Sequence, residues 1–166
     1  MYAHHLFQCL TVSFHPLHVE ELAEVLAVDF DSGAIPQFVI EWRPTDIQEA
    51  VLSICSTLVV LDAETQVVQF AHFSVQEYLV SQHLEHSNAA RFLVRDDPAH
   101  TIMAQTCLSI LLQFDHHSTQ NNLKDFPLAC YAARYWAGHA QSMRTSSCIK
   151  NAMECLFHPN LSHFAA

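Results

Sequence analysis

Hydrophobic spacing in this 166-residue chain predicts a mainly α protein. Three helices, a two-stranded β-hairpin and a further helix come in the order of a winged helix, and an α-helical bundle follows. Three observations carry the prediction. Apolar residues recur at i, i+3, i+4 and i+7 through nearly every segment. The period shortens to that of strands between Thr57 and His72. Directly afterwards, Ser74-Val-Gln-Glu77 has the form of a capping box, which opens a helix.

Taken in order, Ala3, Leu6, Phe7, Leu10 and Phe14 form one stripe, and Pro16 stops that helix. A second begins near His18, with Val19, Leu22, Ala23 and Leu26 on one face. Glu20 and Glu21 suit the dipole in its first turn, and Leu17 with Leu22 has the spacing of a hydrophobic staple. Residues 29–44, which contain Gly33, Pro36 and Pro44, read as a turn-rich connection. Thr45 and Gln48 fit a capping box for a third helix with the stripe Ile47, Ala50, Val51 and Ile54. The runs Thr57–Leu61 and Val67–His72, joined by the polar Asp62–Gln66, make the hairpin. The helix after it carries Tyr78, Leu79 and Leu84.

A boundary near Glu85–Asn88 divides a winged-helix domain at 1–86 from a helical domain at 87–166. In the second, a short piece covers Ala89–Val94. Asp97-Pro98 then sets a cap before proline at the first helical position, and the stripe Ala99, Ile102, Met103, Thr106, Cys107, Ile110, Leu111, Phe114 continues it. His116–Asn122 is a polar linker. The segment Phe126–Gln141 is apolar on nearly all sides, which predicts a helix enclosed by neighbours. Ile149, Ala152, Met153 and Leu156 mark a last helix, ended by Pro159.

Composition excludes several functions. Phosphate-cradling loops need clustered glycines, because only glycine lets backbone N–H groups close around an anion. This chain has two, Gly33 and Gly138, far apart. Neither a P-loop nor a G-x-G-x-x-G turn can be written with them, and the G-x-S-x-G nucleophile elbow is absent too. Residues 1–87 hold one basic residue, Arg43, against twelve acidic ones, while residues 88–166 hold six against five. Such a chain is repelled by phosphate backbones, and no nucleic-acid partner is expected. The six cysteines form no C-x-x-C, so free thiols in a reducing compartment are expected. No apolar run is long enough to span a bilayer, and the N-terminus has no signal-peptide form. A cytoplasmic location is the expectation, without membrane contact.

The residues that could carry chemistry are few. Thirteen histidines raise the question of metal, with clusters at His4-His5, His83 with His86, and His116-His117. H-E-x-x-H is absent, and His5 with Cys9, at i, i+4, sits beside an apolar stripe, so no metal is expected. Cys107 and Ser109 lie within an apolar helix, where a thiol is inert, and no enzyme is expected. The position of a winged-helix recognition helix, Thr45–Ser56, carries Asp46 and Glu49, and the wing turn carries Asp62 and Glu64. His72 is different. It stands two residues before Ser74 where strand turns into helix, which suggests a partly buried imidazole able to donate to an anion.

At this point the chain resembles a known family. Phe70-x-His72-x-Ser74-x-Gln76-Glu77-Tyr78-Leu79 is similar to the F-x-H-x-S-x-Q-E-[FY]-[FL] signature closing the winged-helix domain of NACHT-type STAND NTPases, the NLR-like proteins. Leu6–Leu10, Pro16–Val28, Cys55–Leu58, Cys107–Leu112 and Phe126–His139 look like fungal NACHT–ankyrin proteins, whose matching module is the GPI inositol-deacylase winged-helix domain. The resemblance covers about residues 2–143. It implies that His72 corresponds to the histidine that reaches the β-phosphate of bound ADP and holds a closed, inactive state. It also implies a non-catalytic regulatory module in signal transduction, partnered by a NACHT nucleotide-binding domain upstream or in trans and by ankyrin-type repeats downstream. Only His72 carries over as a ligand contact; Ser74, Gln76 and Glu77 read as the helix cap, and Phe70, Tyr78 and Leu79 as core. With no Walker motif the chain corresponds to a fragment of such a protein and is expected to bind no cofactor by itself. The alternative is a solitary protein–protein adaptor with no nucleotide role.

Overall fold

The computed structural model describes residues 2–55, 57–114, 123–141 and 147–157. Helix α1 (Tyr2–Val12) buries Leu6, Phe7, Cys9 and Val12. It ends before Pro16, and Phe14, placed by spacing on the same stripe, is half exposed beyond it. Helix α2 (Val19–Ala23) tightens into a 3-10 turn at Glu24–Ala27. Its start matches the sequence pattern: the His18 N–H donates to Glu21 Oε2 at 2.8 Å, and Leu17 and Leu22 are both fully buried.

The connection after α2 is more ordered than its turn residues suggest. Strand β1 (Val28–Asp29) pairs antiparallel with β2 (Gln37–Phe38), and a 3-10 turn follows at Ile40–Trp42. Two-residue strands are too short to show a period, and Asp29 Oδ1 makes the turn by accepting from the N–H groups of Asp31 and Ser32. Helix α3 (Ile47–Cys55) is capped by Asp46, whose carboxylate accepts the Glu49 N–H at 2.9 Å. The expected Thr45–Gln48 box is not what forms. Gln48 donates instead to Gln66 Oε1 on the wing, at 2.8 Å.

The wing is strands β3 (Val59–Leu61) and β4 (Val68–Phe70), antiparallel with Val59 opposite Phe70 and Leu61 opposite Val68. Its tip is closed by Asp62 Oδ1, which accepts from Glu64 and Thr65 N–H at 2.9 Å each, and Gln66 takes a left-handed φ of 58°. Helix α4 (Phe73–Leu79) follows, but the expected run to Leu84 is interrupted. Val94 N–H donates to Leu79 O at 2.8 Å, so returning chain occupies the end of α4, and α5 (Gln82–Glu85) restarts after Ser81.

A 3-10 turn at Ala90–Phe92 leads to α6 (Asp96–Leu111), which starts one residue ahead of Asp97. Helix α7 (Ala129–Gln141) and helix α8 (Ser147–Leu156) complete the described chain. Here the sequence expectation inverts. Every residue of α6 from Met103 to Ile110 is buried, whereas Cys130, Ala133, Arg134 and Ala137 on α7 are exposed. Polar letters disguise α6, because Thr106 and Ser109 turn their hydroxyls onto the Ile102 and Thr106 carbonyls at 2.9 and 2.8 Å. α7 also begins later than Phe126. The last helix is as expected, with Ile149 and Ala152 buried against Ala104 and Leu108. The linker 116–122 and Pro159 lie outside the described residues.

One apolar cluster joins the elements up to α7, and α8 packs on a smaller second one. The first runs from Leu6, Cys9 and Leu22 through Val59 and Leu79 to Met103, Cys107, Ile110 and Ala132. Burying a leucine-sized side chain contributes about 1.5–3 kcal/mol, so α6, packed on both α1 and α7, is the element around which the molecule is assembled.

Candidate functional site

His72 lies at the corner between β4 and α4, with φ −152° and ψ 145°. Ala71 N–H still donates to Leu58 O at 2.9 Å, so the strand holds the chain up to the residue before the corner. His72 itself is the N-cap of α4, the role that the capping-box pattern gives to Ser74. Its Nδ1 accepts from the Ser74 N–H at 3.2 Å and lies 2.8 Å from the Ser74 hydroxyl. An Nδ1 that accepts carries no hydrogen, so the single proton of the neutral ring sits on Nε2. His72 is exposed rather than partly buried. Its Nε2–H therefore faces outward as a donor whose direction is set by Ser74.

The next side chain, Phe73, is 70% exposed, and Tyr78, expected in the core, is 49% exposed. Helix α4 has seven residues and anchors itself chiefly through Leu79, which is 4% exposed, leaving Tyr78 on its flank. Beside α4 runs a groove of about 360 Å³, lined by Phe7, Leu58, Val75, Tyr78, Leu84 and Phe92. Phe70 is half-buried against the core. The corner thus combines one oriented N–H donor with an apolar surface. It suits an anionic group in part, since His72 supplies a donor while the Ser74 N–H and hydroxyl are already engaged with the imidazole.

The other sequence candidates are arranged differently. Cys107 and Ser109 are fully buried in α6; burial holds the Cys107 thiol well above its ordinary range, and the Ser109 hydroxyl donates to a backbone carbonyl. Cys9 is fully buried as well, and its thiol is pushed up to about 12. His4 Nε2 lies 3.0 Å from Leu93 O, and His5 packs edge-on against Phe30. Among the described residues no three His, Cys, Asp or Glu side chains are placed to hold a metal ion. His116 and His117 lie outside the described residues. At the wing tip the Thr65 and Glu64 N–H groups hold the Asp62 carboxyl below its usual range, so α3 and the wing present carboxylates where a nucleic-acid reader would present cations.

A larger cleft of about 610 Å³ lies between α1, α5 and the start of α6, lined by Thr11, Gln82, Glu85, Arg95 and Asp96 among others. Its guanidinium, Arg95, is paired with Glu85. Sequence reasoning missed the exposure of Phe73 and a polar cluster in the second half around His100, Tyr131 and His139. No periodicity signals the latter, because its members are separated by 39 and 8 positions.

The architecture is that of a winged helix continued by packed helices. Consistent with it, the family model of the GPI inositol-deacylase winged helix domain matches residues 1–95, and the chain belongs to that family. It is also similar to azaphilone pigments biosynthesis cluster protein L of Monascus ruber, with 36% identity over 144 residues, covering 81% of this chain and 30% of that protein. The chain thus spans under a third of that relative's length. No solved structure matches it. No helix among the described residues is long and apolar enough to cross a membrane.

Proposed function

We propose that the chain is a non-catalytic regulatory and interaction module of a NACHT-type STAND NTPase. A nucleotide-binding domain, in the same protein or in trans, would hold ADP, and the winged half would close over it as a lid. His72 would donate its Nε2–H to the β-phosphate and so favour the closed state. Ankyrin-type repeats would follow the helical half, in a cytoplasmic protein. One observation carries this reading: an exposed imidazole whose Nδ1 is tied to Ser74, leaving a single oriented donor at a strand-to-helix corner. With no glycine loop of its own, this chain would leave the rest of the phosphate contacts to its partner.

The test is a fusion that places the chain behind a NACHT domain. A hydrogen bond to a charged group contributes about 1.5–3 kcal/mol, so His72→Ala raises the rate of ADP release roughly tenfold to a hundredfold. Unchanged release overturns the lid role. The second reading is an adaptor with no nucleotide role, and the exposure of Phe73 and Tyr78 on one short helix, with Val80 at its end, favours it. Under that reading, Phe73→Ser abolishes partner capture while His72→Ala leaves it intact.

A further inference from the structure

The strongest unused chemistry lies in the second half, away from His72. His100 on α6 and His139 on α7 meet with their Nδ1 atoms 2.7 Å apart. The Tyr131 hydroxyl is 2.8 Å from His139 Nε2 and accepts the Phe14 N–H at 3.1 Å. The Phe14 ring stacks on His139 with centroids 4.3 Å apart, and Gly138 leaves room for it, since a Cβ there would stand 2.9 Å from Phe14 Cε2. His139 is fully buried and His100 nearly so.

The network orders its own protons. Asp96 Oδ1 stands 3.7 Å from His100 Nε2 and favours the His100 proton there, which leaves His100 Nδ1 as an acceptor. His139 must then carry its proton on Nδ1 and donate to His100 Nδ1. Its Nε2 accordingly accepts from the Tyr131 O–H, whose oxygen keeps the Phe14 N–H. The titratable and charged groups around the pair are Asp96 on α6, His15 from the segment between α1 and α2, and Tyr131 and Tyr135 on α7. Arg134 lies over the Tyr135 ring, and the buried thiols of Cys9 and Cys107 act on Tyr131.

We propose that the His100–His139 pair is a proton-operated latch: with at most one added proton it ties α6 and α7 to the Phe14 segment, and with two it lets go. One proton is accommodated by reversing His139, whose Nδ1 accepts from a His100 Nδ1–H while its Nε2–H turns to the Tyr131 oxygen. A second proton sets two N–H donors and two positive charges face to face across 2.7 Å, where no hydrogen bond exists. Asp96 offsets one of those charges, not both. Burial, and next the neighbouring His100, lower the His139 pKa to about 4, in keeping with a pair that resists the second charge.

Two measurements on the full chain test this. Long-range ¹H–¹⁵N spectra at pH 7 should find the His139 proton on Nδ1 and the His100 proton on Nε2; rapid tautomer exchange in both rings, as in free imidazole, overturns the proposal. Hydrogen exchange should show the protection of the Phe14 amide falling more than tenfold per pH unit as the latch opens on acidification. In His100→Asn, which keeps an acceptor and cannot be protonated, protection should fall by tenfold or less per unit. Equal steepness in the two proteins sinks the latch. Should the variant fail to fold, the tautomer assignment in the unaltered protein decides.

Discussion

Arg43, the one basic residue among the first 87, serves structure rather than a ligand. Its guanidinium donates to both Glu24 carboxylate oxygens, at 2.9 and 3.0 Å, and to Asp125 O at 2.6 Å, and it lies over the rings of Phe38 and Phe126. Glu24 is only 4% exposed, and burial raises its pKa while Arg43 opposes the shift. Arg43→Met leaves that carboxylate buried and unpaired, so urea unfolding should show a loss of about 2–4 kcal/mol. Adding Glu24→Gln should restore part of it, because an amide costs less to bury than an orphaned charge. The thiols sort by the same logic. Cys130 is exposed, whereas Cys9 and Cys107 are fully enclosed with raised pKa values. Mass spectrometry after mild alkylation should find label on Cys130 and none on Cys9 or Cys107 in the folded protein.

At the scale of elements, the wing was legible because two runs of β-rich residues flank a polar turn, and α2 because its staple and acidic first turn are local signals. The β1–β2 pair was not, since four residues cannot display a period. Caps were half legible: the position of α4 followed from the motif, but its capping atom is an imidazole nitrogen rather than the Ser74 hydroxyl, and α3 uses Asp46 rather than Thr45. Asp46→Ala should cost about 1 kcal/mol in chemical denaturation, the usual loss of a helix N-cap. Of the candidate site, the corner and His72 were visible in sequence, while Phe73 was not, because nothing local says which face of a two-turn helix the core will take. Gly138 offers a test of how α7 meets the Phe14 segment. Gly138→Ala gains about 1 kcal/mol of helix propensity yet pushes against the far edge of the half-exposed Phe14 ring, which has to shift off His139. Overall stability should change by less than about 1 kcal/mol, while the Phe14 ring-current shift on His139 disappears from the NMR spectrum.

For the whole molecule, buried neutral histidines set the response to acid. The pKa values of His5 and His139 are both lowered to about 4, by burial first and by a neighbouring histidine next. In the unfolded chain they titrate near 6.5, so between that value and 4 the unfolded state binds more protons than the folded one. Stability is therefore complete above about pH 6.5 and declines as pH falls toward 4, by about 3 kcal/mol for fully buried His139 and by less for partly exposed His5. Thermal melts across that range should show a falling Tm; a flat profile would mean that the two rings are hydrated. The dominance of α6 was the least legible global feature, because four of its buried residues, His100, Gln105, Thr106 and Ser109, are written in polar letters.

The continuity of the oily interior past residue 95 bears on how such a segment travels between genes. A breakpoint placed where the family match stops would strip Met103, Cys107 and Ile110 from the apolar cluster they share with Leu6 and Cys9 of α1. Any recombinant that inherits the winged portion must bring α6 with it or supply another greasy plank of the same width. Expressed as residues 1–95, the piece should precipitate or self-associate where the whole chain does not.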